Sequence, residues 1–119
     1  MGRINWISHK GKRILHVDHS TLSEEEHQEI IDLAIKAMAE LPDGSELLDI
    51  ADFTGTPVTQ EKRRKLKQLA TVRQRLTGAT VVVGLSGFGK AMAGLLNPGM
   101  KYLSSVEEAK EWLLEQADK

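Results

Sequence analysis

The chain contains no cysteine. Disulfide staples, thiolate zinc sites and a cysteine nucleophile are excluded together, and a reducing compartment is the natural setting. Also missing is any apolar run near the ~20 residues that a bilayer-spanning helix needs. The stretch Met1–Lys12 carries no apolar segment before its basic residues. The expectation is a soluble, cytoplasmic chain that touches a membrane at most peripherally. Charge of one sign is scarce as well, because sixteen Lys and Arg oppose seventeen Asp and Glu for a formal net charge of -1. That balance removes the electrostatic case for a dedicated nucleic-acid binder. What remains is 119 residues, 40% of them hydrophobic. One domain of that size buries roughly two-thirds of its unfolded surface without help from a metal, so residues 1–119 are read as a single domain.

Hydrophobic periodicity and turn residues divide the chain. Ile4–Ser8 combines Trp with β-branched residues and runs into His9-Lys10-Gly11-Lys12, predicting a hairpin whose return arm is Arg13–Asp18. Alternation puts Leu15 and Val17 on one face of that arm, with Ile14, His16 and Asp18 on the other. Ser23-Glu24-Glu25-Glu26 is a capping box, and Ile30, Ile31, Ala34, Met38 and Leu41 form the apolar stripe of the helix it opens. Pro42-Asp43-Gly44 ends that helix. Leu47–Phe53 reads as a strand covered on both faces. Thr54-Gly55-Thr56-Pro57 leads into a second helix, capped by Thr56 or Thr59, with Leu66, Leu69, Val72 and Leu76 inward.

Ala79–Leu85, with three consecutive valines, is the second central strand. Lys90–Leu96 is a short predicted helix stopped by Asn97-Pro98-Gly99, and Lys101–Leu103 is an edge strand. A second box, Ser105 with Glu108, opens a final helix with Val106, Ala109, Leu113 and Ala117 inward. The order is ββαβαβαβα. Alternation of this kind demands crossovers, so the expected fold is α/β, with one mixed, mostly parallel five-stranded sheet and about four helices.

Polar work in such a sheet gathers beyond the carboxyl ends of its strands. Three segments belong there: Asp18-His19-Ser20, Asp52-Phe53-Thr54-Gly55-Thr56 and Ser86-Gly87-Phe88-Gly89. Gly84–Ala91 fits the phosphate-loop spacing G-x-x-x-x-G-K, which makes Ser86, Gly87, Gly89 and Lys90 candidates for holding a ligand or anion. Ala91 stands where a magnesium-holding hydroxyl is needed, so nucleotide hydrolysis does not follow. A Ser86-His19-Asp52 triad exists only on paper, without a nucleophile elbow. His16 and His19 lack a third ligand at metal spacing, and neither a metal nor a cofactor is called for. His16 is expected to be half-buried and hydrogen-bonded, while His9 and His27 are read as surface residues.

Charge is segregated along the chain. The second helix region holds Lys62, Arg63, Arg64, Lys65, Lys67, Arg73 and Arg75 against the single acid Glu61. Between Glu24 and Glu40, six acids face one Lys. Opposition of this kind serves as a solvated face with weak ion pairs or as a docking surface for an acidic partner or a headgroup-rich membrane surface. Lys62, Arg63, Arg64, Lys65 and Lys67 are the candidate docking residues.

The strand-strand-helix opening, the Asp52-Phe53-Thr54-Gly55 loop, the Val82-Val83-Gly84-Leu85-Ser86-Gly87 strand end and the terminal Tyr102–Leu113 segment resemble STAS-like domains, in particular small stand-alone bacterial ones. The resemblance covers almost the whole chain. STAS domains of the anti-sigma factor antagonist type carry Asp-Ser-Ser-Gly at this loop, and a partner kinase phosphorylates the second Ser. The resemblance therefore implies a non-enzymatic regulatory module with Thr54 at the acceptor position, Phe53 standing where the family has its first Ser. Its implied partner is a regulatory kinase or an anti-sigma-like factor, and a homodimer is compatible with it. The same fold class also resembles the CRAL-TRIO lipid-transfer domains. That likeness implies a second reading, a carrier or sensor of a small apolar ligand near Ala91, Met92, Leu95 and Leu96.

Overall fold

A computed structural model describes residues 3–20, 23–54, 60–84 and 101–117. Its hairpin is built from β1 (Ile4–His9) and β2 (Lys12–Asp18), antiparallel, with His9 opposite Lys12. Lys10 and Gly11 form the two-residue turn with φ of 50° and 85°. Positive φ at both positions matches the right-handed twist of the flanking strands. After helix α1 (Glu24–Ala39) come β3 (Glu46–Asp52), α2 (Gln60–Arg73), β4 (Thr77–Val83), β5 (Lys101–Leu103) and α3 (Val106–Ala117). The sheet order is β1-β2-β3-β4-β5, and every pair after the hairpin is parallel.

Side-chain alternation splits the core in two. On one face, Leu15, Val17 and Leu47 pack against Ile30, Ala34 and Met38 of α1 and against Leu69, Val72 and Leu76. On the other, Ile14, Leu48, Ile50, Val81 and Val83 pack against Ala109 and Leu113 of α3. Leu47, Leu48, Asp49 and Ile50 are all buried, as a strand with helices on both sides requires. The box at Ser23 and Glu26 is closed in both directions. At α3, Ser105 Oγ accepts the N–H of Glu108 at 3.2 Å.

Strand boundaries differ from those expected by one or two residues, with β1 reaching His9, β2 starting at Lys12 and β3 at Glu46. β3 ends at Asp52 rather than Phe53, because the chain turns there with Asp52 accepting from Thr54, although the Phe53 N–H still donates to Val83 O at 2.9 Å. β4 begins at Thr77 rather than Ala79 and ends at Val83 rather than Leu85, since its register pairs Thr77 with Glu46 and Val83 with Asp52. Three helices are described, and the expected short helix Lys90–Leu96 lies outside the described residues.

Two arginines of the basic segment are structural. Arg73 reaches through to the sheet, where its Nε donates to Asp49 Oδ1 at 3.1 Å and to Thr80 Oγ1 at 3.2 Å. Its remaining nitrogens donate to Leu47 O at 2.7 Å and Thr77 O at 3.1 Å. Arg75 donates to Leu41 O at 2.5 Å, to Asp43 Oδ1 at 2.7 Å and, at 3.3 Å, to Met38 O, which also accepts the Leu41 N–H, so it ties down the end of α1.

Candidate functional site

Asp18 and Asp52 are direct strand partners at the carboxyl ends of β2 and β3. Each closes the same turn. Asp18 Oδ1 accepts the N–H of Ser20 at 2.9 Å and its hydroxyl at 2.5 Å. Asp52 Oδ1 accepts the N–H of Thr54 at 3.0 Å and its hydroxyl at 2.7 Å. Such turns form because a short acid can take the place of a backbone acceptor two residues on. Between acid and hydroxyl each turn carries a ring, His19 or Phe53, and both rings are buried. They stack at 4.4 Å with 1° between their planes. His27 of α1 meets both rings edge-on, its Nε2 lying 3.1 Å from His19 Nδ1 in a hydrogen bond. The backbone extends the pairing by one rung, as His19 N–H donates to Asp52 O at 2.7 Å. The two turns therefore form one unit, rings below and hydroxyls above.

The flanking charges differ. Arg3 lies beside the first turn, donating to Ser20 O at 2.7 Å and standing 3.5 Å from Asp18 Oδ2. Burial alone would push the Asp18 carboxyl up. The Ser20 hydroxyl and N–H, then Arg3 and His16, outweigh it and hold Asp18 below its ordinary value. At the second turn His16 is half-buried with Nε2 3.5 Å from Asp52 Oδ2, and Thr54 is exposed.

Gly84 shapes the second turn from outside. Its φ is +81°, and a Cβ placed there would stand 2.5 Å from Thr54 Oγ1 and 2.6 Å from Thr54 Cα and N. The first glycine of the apparent phosphate loop is thus needed so that the end of β4 can pass against the Thr54 turn.

Of the residues singled out from sequence, the structure joins Asp52 and Thr54. Gly55, Thr56, Ser86, Gly87, Gly89 and Lys90 lie outside the described residues, as do Ala91, Met92, Leu95 and Leu96 of the apolar-ligand reading. The basic helix is only partly a surface. Lys65 is buried, correcting its place among the docking residues, because it falls on the inward stripe one turn before Leu69. Arg64 is exposed and paired with Glu61 at 2.5 Å, and Lys67 is exposed. Lys62 and Arg63 lie on the same helix. Gln60, Glu61, Arg64 and Lys67 line an open groove of about 440 Å³.

His27 is a second correction, fully buried rather than on the surface. Its signal was present, since it stands three and four residues before Ile30 and Ile31 on the inward stripe. Ser20 was readable too, from the parallel between Asp18-His19-Ser20 and Asp52-Phe53-Thr54. Among the described residues no group of three or more His, Asp or Glu side chains is placed to hold a metal, and no helix is long and apolar enough to cross a membrane. Comparison with models of known protein families gives no match, and neither does comparison with curated proteins.

Proposed function

We propose that this chain is a non-enzymatic regulatory module that docks a partner protein through the Thr54 turn and the adjoining helix α2, with phosphorylation of Thr54 as its gate. The reading draws on the resemblance to STAS-like domains of the anti-sigma factor antagonist type. One observation carries it: an exposed hydroxyl held by Asp52 at the carboxyl end of a central strand, on the approach to a helix with Arg64 and Lys67 on its outer side. A phosphate on Thr54 adds about -1.5 to -2 charge at pH 7. It cannot keep the contact with the Asp52 carboxylate at 2.7 Å, because like charges at that range repel. The turn must open, and the new anion turns to the positive side of α2. Partner binding then changes because the surface has changed shape and sign at one point.

The test compares wild-type protein with Thr54→Val and Thr54→Glu as baits. Wild type and Thr54→Val should retain the same partner and Thr54→Glu should lose or exchange it. Intact-mass analysis of chain purified from its own cells should show a phosphatase-sensitive species mapping to Thr54. Indistinguishable capture by all three baits, with no such species, would overturn the reading.

A further inference from the structure

The sheet has two margins, and they are finished differently. At one, β5 is three residues long and carries the exposed Lys101. Short length and a charge are how native sheets blunt an edge against pairing with another chain. At the other, β1 is six residues long, and Ile4–Ser8 contains no charged residue and no proline. We propose that two copies of the chain pair their β1 strands antiparallel about a two-fold axis through Trp6, joining two five-stranded sheets into one. This stands apart from the reading of Thr54.

The direction of the backbone groups fixes the register. Asp18 N–H donates to Arg3 O at 2.7 Å, which identifies Arg3 and Asp18 as a hydrogen-bonded pair. Pairs alternate along an antiparallel ladder, so Asn5, Ile7 and His9 also turn their polar groups toward β2, while Ile4, Trp6 and Ser8 turn theirs outward. A symmetric pairing centred on Trp6 sets Trp6 opposite its copy and Ile4 opposite Ser8. The three outward residues of each copy then complete about six inter-strand hydrogen bonds. The edge is its own complement, which is why a second copy is the occupant.

The side chains point to the same margin. Among the described residues, Trp6 at 40% and Leu33 at 52% are the large hydrophobics left exposed. Trp6 pairs with Leu15, so it lies on the sheet face that α1 covers. α1 packs onto β1, and with the usual right-handed crossover the flank of α1 bearing Leu33 is turned toward that strand. The Arg13 guanidinium lies over the Trp6 ring, 4.4 Å from its centre, a cation–π contact that restrains the indole. A two-fold through Trp6 brings the two indoles together, with a Leu33 on either side.

The absence of cysteine makes a direct test available. Trp6→Cys places one thiol per chain on the axis, where paired Cα atoms are about 5.5 Å apart, inside the roughly 4.4–6.8 Å that a disulfide spans. Ser8→Cys places the two thiols about four residues apart along the strands, roughly 13 Å. Wild type should sediment at twice the mass of the chain at tens of micromolar. Under diamide Trp6→Cys should form a covalent dimer and Ser8→Cys should stay single. Ser8→Pro, which removes an outward donor and leaves the ladder to β2 intact, should sediment as a folded monomer. Wild type that sediments as a monomer overturns the proposal, as does a dimer whose cross-linking is equal at both positions or which survives Ser8→Pro with an unchanged circular dichroism spectrum.

Discussion

Gly84 shows how one position couples the sheet to the site. It sits at φ +81° with Thr54 pressed against it, whereas Gly11, at φ +85° in the hairpin turn, has open space where a Cβ would go. Gly11→Ala meets only the backbone penalty of about 1 kcal/mol. Gly84→Ala adds a steric conflict with backbone atoms of the Thr54 turn, and roughly 2–4 kcal/mol in total is expected. Thermal denaturation of both variants checks the order, and a Gly84→Ala midpoint at or above that of Gly11→Ala contradicts it. The same residue marks a limit of sequence reading. Its place in a G-x-x-x-x-G-K spacing suggested an anion loop, and only the approach of Thr54 from a different strand explains why glycine is needed. Lys65 and His27 show the reverse. Their helical spacing pointed inward, and polar identity obscured it, because a charged or imidazole side chain on an apolar stripe is rarely read as core.

At the scale of elements, α2 is held to the sheet from both ends of its charge range. Leu69 and Val72 supply the apolar contact, and Arg73 runs from the last turn to Asp49, which is 5% exposed. Burial pushes the Asp49 carboxyl above its ordinary value, with Arg73 and Thr80 acting against it. Arg73→Leu leaves that carboxyl buried without its cation, a change worth about 3–5 kcal/mol of lost stability. The deficit should shrink as pH falls. A folded-state value raised above the unfolded one gives stability that is present at low pH and disappears as pH rises through the folded value, so acid protonates the stranded Asp49 and relieves it. Urea titrations of the variant near pH 7 and pH 5 test this, and a deficit that grows toward acid refutes it. Arg73→Leu combined with Asp49→Leu should recover most of the loss, since an apolar pair has no charge to strand. At the start of α1 the stakes are smaller, and Ser23→Ala should cost about 1 kcal/mol. That box was legible because its chemistry is local, four residues long. The Arg73 link was not, because its partners stand 24 and 7 residues away and only the fold brings them together.

Across the whole molecule, the alternation of strands and helices was legible from periodicity, and the sequential sheet order follows once each crossover takes the usual hand. The division of helices into two layers needed the burial pattern, since Leu47 and Leu48 are both apolar and the sequence alone does not say which helix each one meets. The folded state also has a collective acid response. Asp18 is held below its ordinary value, and so are Glu26 by the Ser23 N–H, Glu61 by Arg64, Glu108 by Ser104, and Glu111 by His9 and Lys10. Folding lowers all five, so at these sites the unfolded chain takes up protons first as pH falls; they outnumber the buried Asp49, whose raised value acts the other way, and stability declines. The window is set by the unfolded values, about 3.9 for Asp and 4.3 for Glu. The melting temperature should hold nearly level from neutral pH to about pH 5 and then fall steeply through about pH 4. The slope of the unfolding free energy against pH over that range gives the excess protons bound by the unfolded chain. Asp18 is the member with a partly buried carboxylate, so Ser20→Ala, which removes one of its two Ser20 hydrogen bonds, should flatten the acid limb while Glu61→Gln, on an exposed pair, changes it little. An acid limb of equal slope in wild type and Ser20→Ala would show that the Ser20 hydroxyl contributes no proton linkage at Asp18, leaving the Ser20 N–H, Arg3 and the exposed carboxylates as the sources of the decline.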